Sequence, residues 1–320
     1  MRIFVTGATG FAGSHLVDRL LADGHEIYAL VHSASSHQGL PKNLRVHPVE
    51  GDLLDGELLK TAVSEAKPDV IYHLAGQAYP AVSWQMPVRT VEINTIGTIN
   101  LLEAAVAYGR PRVVVVTSAE IYGKIAPEQL PITEELAPQP RHPYGITKFA
   151  AGLFVPLYWQ HYQLPVVEAR PFNHIGPRQA KGFVVPDFAS QLAAIKLGLA
   201  PKKLRVGNLT AERDFTDVRD VVRAYTRLAE AGKPGESYLI CSGQPVSIQV
   251  LLTILAELAD VDIVVECDPA RMRPSDVPTL YGSFAKIQAD TGWQPEISLR
   301  QSLAEALQDW LHRLGVDDGR

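Results

Sequence analysis

Three glycines spaced three apart constrain this chain more than any other feature. Gly7, Gly10 and Gly13 follow the apolar run Ile3–Thr6 and open the amphipathic segment Ala12–Asp23, which Gly24 closes. A strand that ends in such a loop turns sharply into a helix lying back on the sheet, and glycine lets the two backbones come that close. The helix N-terminus then offers free N–H groups and a partial positive charge, worth about 0.3–1 kcal/mol per contact with an anion. The spacing is G-x-x-G-x-x-G rather than the commoner G-x-G-x-x-G. At the first strand–helix junction it points to a pyrophosphate, and so to a dinucleotide cofactor held by Gly7, Thr9, Gly10, Phe11, Ala12 and Gly13.

Apolar runs and amphipathic segments alternate from there. Ile27–Val31, Val70–Leu74, Arg112–Thr117 and Val166–Arg170 read as strands; Glu57–Ala66, Pro87–Tyr108 and Pro143–His161 read as helices. The near-continuous valine run after Arg112 fits a strand covered on both faces. This order predicts an α/β fold with a Rossmann-type doubly wound parallel sheet. The pattern changes after Phe172. Residues 173–216 are rich in Gly, Pro and Lys with one helix near Pro186–Leu197, while Asp217–Ala231 and Ser237–Cys241 read as a helix and strand returning to the sheet. The remainder mixes helices with a short strand at Ile263–Val265 and predicts a smaller C-terminal mixed α/β substrate lobe. The expected division is residues 1–172 plus about 217–243 for the dinucleotide-binding domain, and 173–216 plus about 244–320 for the lobe.

Bulk properties exclude several classes. A net charge of −5 with no basic block argues against a nucleic-acid partner. The two cysteines, Cys241 and Cys267, make neither a disulfide framework nor a ligand spacing, so a reducing compartment and no metal site are expected. No run is long enough to span a membrane and the first residues lack the features of a leader, so a cytoplasmic protein is expected.

The second strand ends Val31-His32-Ser33 without a carboxylate to hold the adenosine ribose of NAD. His32, Ser33, Ser35 and Ser36 read instead as donors to a 2′-phosphate, so NADP is favoured while NAD stays open. Asp52 and Leu53 follow the third strand and are expected to border the adenine; Leu74, Ala75 and Gly76 end the fourth, where small residues let the backbone pass close to the cofactor.

Tyr144 and Lys148 are four apart on an expected helix and so share a face. An ammonium beside a phenol favours phenolate, which predicts a Tyr144 usable as acid or base near neutral pH. Ser118 stands at the carboxyl end of the valine strand, placed to hold the substrate oxygen that Tyr144 protonates, with Thr117 as the alternative if the register slips by one. Glu120 reads as a second acid/base group or as a salt-bridge partner.

Gly7-x-x-Gly10-x-x-Gly13, Ser118-x-Glu120-x-Tyr122-Gly123 and Tyr144-x-x-x-Lys148 together resemble the extended short-chain dehydrogenase/reductase family of nucleotide-sugar epimerases, dehydratases and reductases. The resemblance spans essentially the whole chain. It implies cofactor roles for Gly7, Gly10, Gly13, Asp52 and Ala75, a Ser118–Tyr144–Lys148 triad, and a homodimer formed through the helices of 87–108 and 143–161. Arg170-Pro-Phe-Asn173 resembles the strand and loop that carry the family's substrate-contacting Asn, and Val206-Gly-Asn-Leu209, Glu212-Arg213 and Arg273-Pro-Ser-Asp276 are similar to the branch that handles GDP-mannose derivatives. Substrate contacts are thereby expected at Gln77, Ser83, Ser118, Asn173, Val184, Arg213, Arg273 and Asp276. Two guanidinium forks suit a diphosphate, the alternative for each being a structural ion pair.

Within that branch the loop His174-Ile-Gly-Pro-Arg-Gln-Ala-Lys-Gly-Phe183 is similar to the reductases, and His32–Gly39 lacks the paired arginines of the dehydratases. Ala81-Val-Ser-Trp84 resembles the dehydratases equally well. The resemblance implies hydride transfer from NAD(P)H to C4 of GDP-4-dehydro-6-deoxy-D-mannose, giving GDP-D-rhamnose; the alternative it leaves open is GDP-mannose 4,6-dehydration.

Overall fold

The computed structural model describes residues 1–33, 38–271 and 277–317. Strands and helices alternate from the start: β1 (Arg2–Thr6), α1 (Phe11–Ala22), β2 (Glu26–Val31), β3 (Val46–Glu50), α2 (Gly56–Ala66) and β4 (Val70–His73). Helices α3 (Pro80–Gln85), α4 (Pro87–Val91) and α5 (Gly97–Tyr108) lead to β5 (Arg112–Val116), α6 (Pro143–Tyr162) and β6 (Val166–Pro171). After β7 (Asn173–Ile175), α7 (Val184–Lys196), β8 (Lys203–Val206) and β9 (Glu212–Asp217), the chain returns through α8 (Val218–Ala231) and β10 (Ser237–Ile240). β11 (Pro245–Ser247), α9 (Ile248–Ala259), β12 (Val264–Cys267), β13 (Thr279–Leu280), α10 (Ala285–Thr291) and α11 (Leu299–Asp317) follow.

Seven strands form one parallel sheet in the order β3-β2-β1-β4-β5-β6-β10. This is the doubly wound arrangement that the alternation predicts. Side chains of one strand point to opposite faces. Ile3 and Val5 therefore enter the core under α1 and α8, while Phe4 enters the core under α2, α5 and α6. The valines of β5 divide in the same way, Val114 to the first core and Val113 and Val115 to the second. Local signals set the helix ends. Gly24, with φ +84°, follows α1, and the Asp55 carboxylate caps α2 by accepting the Leu58 N–H at 3.0 Å, a contact worth about 1 kcal/mol.

A third core gathers Val185, Leu192, Phe215, Leu251, Leu303 and Trp310 from α7, β9, α9 and α11. It carries a small sheet in which β9 pairs with β7, β11 and β13, and a two-stranded ribbon, β8 with β12. The strand expected at 263–265 is β12, and β8 supplies its partner.

Two expectations differ from what the structure shows. The single helix expected over 87–108 is α4 and α5 joined by a π-helical turn, Glu92–Ile96, and α3 precedes it. The wider turn carries Asn94 inward, where its amide makes three hydrogen bonds. The chain also crosses to the large sheet once more than the expected division at about residue 244 allows. Ile287 of α10 and Trp293 lie in the core under α1 and α8, and the Trp293 indole donates to the Asp220 carbonyl at 3.0 Å. Among the described residues no helix is long and apolar enough to cross a membrane.

Candidate active site

The strand order reverses between β1 and β4, and open parallel sheets bind ligands at the carboxyl ends of the strands where that happens. Gly7 has φ +74°, and a Cβ there would lie 2.6 Å from the Ala75 nitrogen; a Cβ on Gly13 would lie 1.9 Å from the Gly7 carbonyl oxygen. The loop after β1 is thus closed between the loop after β4 and the first turn of α1. No side chain caps α1 and no carboxylate stands in its first turn, so its N–H groups and positive end are open to a pyrophosphate. Thr9 and Gly10 are exposed at this rim, with Phe11 and Ala12 half-buried beside them.

The two loops are fastened from beneath. Thr6 Oγ1 lies 2.7 Å from His73 Nδ1 and accepts the Ala75 N–H at 3.2 Å, and His73 Nε2 lies 2.9 Å from Thr98 Oγ1. Burial, with the charge of Lys148 acting in the same direction, holds His73 neutral by lowering its pKa to about 3. Leu74 and Ala75 are half-buried and Gly76 is open, and a Cβ on Gly76 would lie 3.2 Å from Lys148 Nζ. A cofactor passing along β4 therefore meets Lys148. At the far end Asp52 Oδ2 lies 3.7 Å from His32 Nδ1 and 4.0 Å from Arg89 Nη2, while Leu53 is buried. Ser33 is half-buried; Ser35 and Ser36 lie outside the described residues.

Ser118 is the first residue after the short coil that ends β5, and it opens a single 3-10 turn, Ala119–Ile121. Its hydroxyl accepts the Glu120 N–H at 3.2 Å and acts on the nearby Tyr144 phenol, favouring its ionised form. Thr117, the alternative, faces the other way and donates to Glu168 Oε1 at 2.6 Å. Lys148, on the same face of α6 one turn after Tyr144, donates to the Val116 carbonyl at 2.9 Å. Its three donors leave capacity for a further acceptor.

The phenolate that the Tyr144–Lys148 spacing predicts is not the state set up here. Burial pushes the Tyr144 phenol up to about 12; the Glu120 carboxylate adds to this and the Ser118 hydrogen bond opposes it. Burial also brings Lys148 down to about 8, against the pull of the Glu168 carboxylate. Removing both groups from water disfavours both charged forms, and one donor of the ammonium is taken by a carbonyl. Tyr144 is a neutral phenol at pH 7.

Glu120 is a partner of His142: Glu120 Oε2 lies 3.0 Å from His142 Nε2. His142 Nδ1 accepts the Gly145 N–H at 2.9 Å and so caps α6, which places the ring proton on Nε2, donating to Glu120. The 3-10 turn of Ser118 is thereby tied to the N-terminus of the helix that carries Tyr144.

The expected substrate residues are distributed unevenly. Gln77 follows Gly76, its N–H held by Asn94 Oδ1 at 2.8 Å. Asn173 opens β7, opposite Phe215 of β9; Arg213 stands two residues earlier on β9, its Nη1 donating to the Glu212 carbonyl at 2.7 Å. Val184 begins α7 and packs on the core of α7, β9, α9 and α11. Ser83 is fully buried, and its hydroxyl donates to the Pro80 carbonyl at 2.6 Å within α3. Arg273 and Asp276 lie outside the described residues.

Two residues that the sequence reading passed over belong to the framework. Asn94 bonds both backbone groups of Gln77 and the Thr147 hydroxyl, linking the loop after β4 to α6. Its visible signal is a polar pair, Asn94-Thr95, inside an apolar helical stretch. Glu168 is a fully buried carboxylate in β6, signalled by a charge inside a strand expected to be covered on both faces.

Comparison with known proteins identifies the family. Residues 4–306 match the family described as GDP-mannose 4,6 dehydratase. The chain is 42% identical to a GDP-6-deoxy-D-mannose reductase of Pseudomonas aeruginosa, over 98% of each chain. It is 30% identical to a GDP-mannose 4,6-dehydratase of Vibrio cholerae, over 96% of this chain and 93% of the relative. The solved structure of RMD from Pseudomonas aeruginosa complexed with NADPH superposes with a TM-score of 0.87 at 39% identity, covering 98% of this chain and 99% of the other. The chain belongs to the GDP-mannose 4,6-dehydratase family of extended short-chain dehydrogenases/reductases.

Proposed function

We propose that this chain is an NAD(P)H-dependent reductase that converts GDP-4-dehydro-6-deoxy-D-mannose to GDP-D-rhamnose. The observation that carries this reading is the margin by which the reductase relative exceeds the dehydratase relatives over nearly the full length of the chain. The residues present fit a dinucleotide. The uncapped first turn of α1 receives the pyrophosphate, and the space that a Cβ would fill at Gly76 leaves room beside Lys148. A reduced nicotinamide bound there supplies the hydride.

The chain's own groups supply the rest. Ser118 and Tyr144 hold the substrate C4 oxygen, and Tyr144 donates its proton to that oxygen as negative charge develops. A phenol held up to about 12 enters this step protonated, as reduction requires. Lys148 orients the nicotinamide ribose and stabilises the phenolate left behind. Asn173 and Arg213, on neighbouring strands β7 and β9, face the sugar and the nucleotide. NADPH is the favoured reductant, because β2 is followed by His32 where an NAD enzyme presents a carboxylate.

Exposed apolar residues support a homodimer. Ile146, Leu153 and Leu157 form one stripe on α6, and Val88 and Ile96 stand exposed on the adjoining α4 and π-helical turn. Two free thiols, Cys241 and Cys267, suit a reducing cytoplasm.

The test offers GDP-4-dehydro-6-deoxy-D-mannose with NADPH or NADH and identifies the product by NMR. Stoichiometric NADPH consumption with GDP-D-rhamnose formed is expected; no turnover with either cofactor would refute the reading. Glu120, beside the phenol, keeps dehydration as the second reading. Its signature is a 4-ketosugar formed from GDP-mannose without added reductant.

A further inference from the structure

The Glu168 carboxylate has no part in the reaction as described, yet it is built into the wall of the site. It is fully buried in β6. Thr117 donates to its Oε1 at 2.6 Å; Arg170 at 2.8 Å and Ser237 at 2.5 Å donate to its Oε2. The cost of burying a carboxylate is offset by this full set of donors. Its position relative to α6 is set by Gly152. A Cβ there would lie 2.3 Å from Glu168 Oε1, so the helix passes over the carboxylate with no side chain between. Lys148 is one turn before Gly152 and on the same face. It reaches the Val116 carbonyl on β5, while Glu168 pairs with the preceding residue of that strand, Val115. The Glu168 carboxylate on β6 and the β5 carbonyl that receives the Lys148 ammonium therefore belong to neighbouring strands beneath the same stretch of α6.

The groups around Lys148 leave few other sources of charge. His73, from β4, is held neutral; Asn94, from the π-helical turn, is an amide; Tyr144, on α6 itself, is a neutral phenol. Glu120, on the turn after β5, is engaged by His142. Arg170 is ion-paired with Glu168 at 2.8 Å, with its other amino group on the Tyr122 hydroxyl at 2.9 Å.

We propose that Glu168 is a positioning residue of the catalytic site, whose buried negative charge, beneath the turn of α6 that carries Lys148, favours the ammonium form of that lysine. The proposal rests on the reductase reading for the importance of Lys148, but not for the charge relation itself. Burial lowers Lys148 and the Glu168 charge opposes that lowering. Loss of the charge therefore moves the midpoint further down and raises the share of neutral amine where the phenolate left by proton donation needs a cation.

The experiment follows the Lys148 side-chain methylene by NMR in protein labelled at lysine, assigned with Lys148→Arg, and needs no substrate. The native midpoint is expected near 8. Glu168→Gln is expected to lower it by about one pH unit, the low end of the effect of a close opposite charge. Ser237→Ala removes one hydrogen bond and keeps the charge, so its midpoint is expected to stay. An unchanged midpoint in folded Glu168→Gln, or an equal shift in Ser237→Ala, would overturn the proposal. If Glu168→Gln does not fold, the native protein decides: the Glu168 carboxyl carbon must shift as Lys148 titrates, and a flat signal there sinks the idea. A chain without reductase activity still gives these readings, so the two proposals fail separately.

Discussion

Tyr144 and Lys148 stand one turn apart on α6, and burial moves their acidities in opposite directions. Below about pH 8 the lysine holds its proton and the phenol holds its own, which is the pairing that reduction uses. As pH rises through about 8, Lys148 becomes neutral while Tyr144 is still a phenol. The turnover rate for the ketosugar is therefore expected to fall on the alkaline side with a midpoint near 8, read from a pH–rate profile at saturating cofactor. A flat profile to pH 10 would contradict it. Tyr144→Phe removes the proton donor and leaves the ring, so kcat is expected to drop by about 10²–10⁴ with cofactor affinity nearly unchanged. The spacing of these residues places them together, but it carries no information about depth. That is why the sequence predicts a phenolate and the structure holds a phenol.

Elements place these side chains, and two of them depend on contacts that leave little slack. The closure of the glycine loop against α1 has room for hydrogen only. Gly13→Ala puts a methyl carbon 1.9 Å from the Gly7 carbonyl oxygen, so the loop or the helix must shift. A loss of about 1–3 kcal/mol in stability is expected by thermal or urea unfolding. A drop of at least about tenfold in NADPH affinity is expected by fluorescence titration. Unchanged binding would show that the loop does not carry the pyrophosphate. The π-helical turn is the other case. Helical periodicity over 87–108 is clear in the sequence, but one wide turn costs the pattern almost nothing, and only the partners of Asn94 on Gln77 and Thr147 reveal why it is there.

At the scale of the molecule the site joins two cores. Phe11 of α1 stacks on His174 after Asn173, with ring centroids 5.7 Å apart, and His15 of α1 lies 3.0 Å from the Pro177 carbonyl through Nε2 and accepts from Arg178 at 2.7 Å. The cofactor helix and the loop expected to contact the sugar are thus one packed unit. The proposed dimer is tested on the face that this packing leaves uncovered. Leu153→Glu with Leu157→Glu places two carboxylates in the exposed stripe of α6, and light scattering is expected to fall from twice to once the 35.0 kDa chain mass. A native protein already of single-chain mass would remove the dimer.

Strand and helix periods, the glycine spacing and the Ser118, Tyr144 and Lys148 positions were decided by the sequence itself, because each is a local pattern: burial on alternate residues, a turn only glycine permits, two side chains one helical turn apart. Tertiary structure alone decided what those residues meet. It hid Ser83 inside α3, gave Glu120 to His142, turned Thr117 away from Ser118 toward Glu168, and returned Trp293 to the large sheet. Each of these depends on groups far apart in the chain, and a buried charge or phenol takes its acidity from that company rather than from its neighbours in sequence.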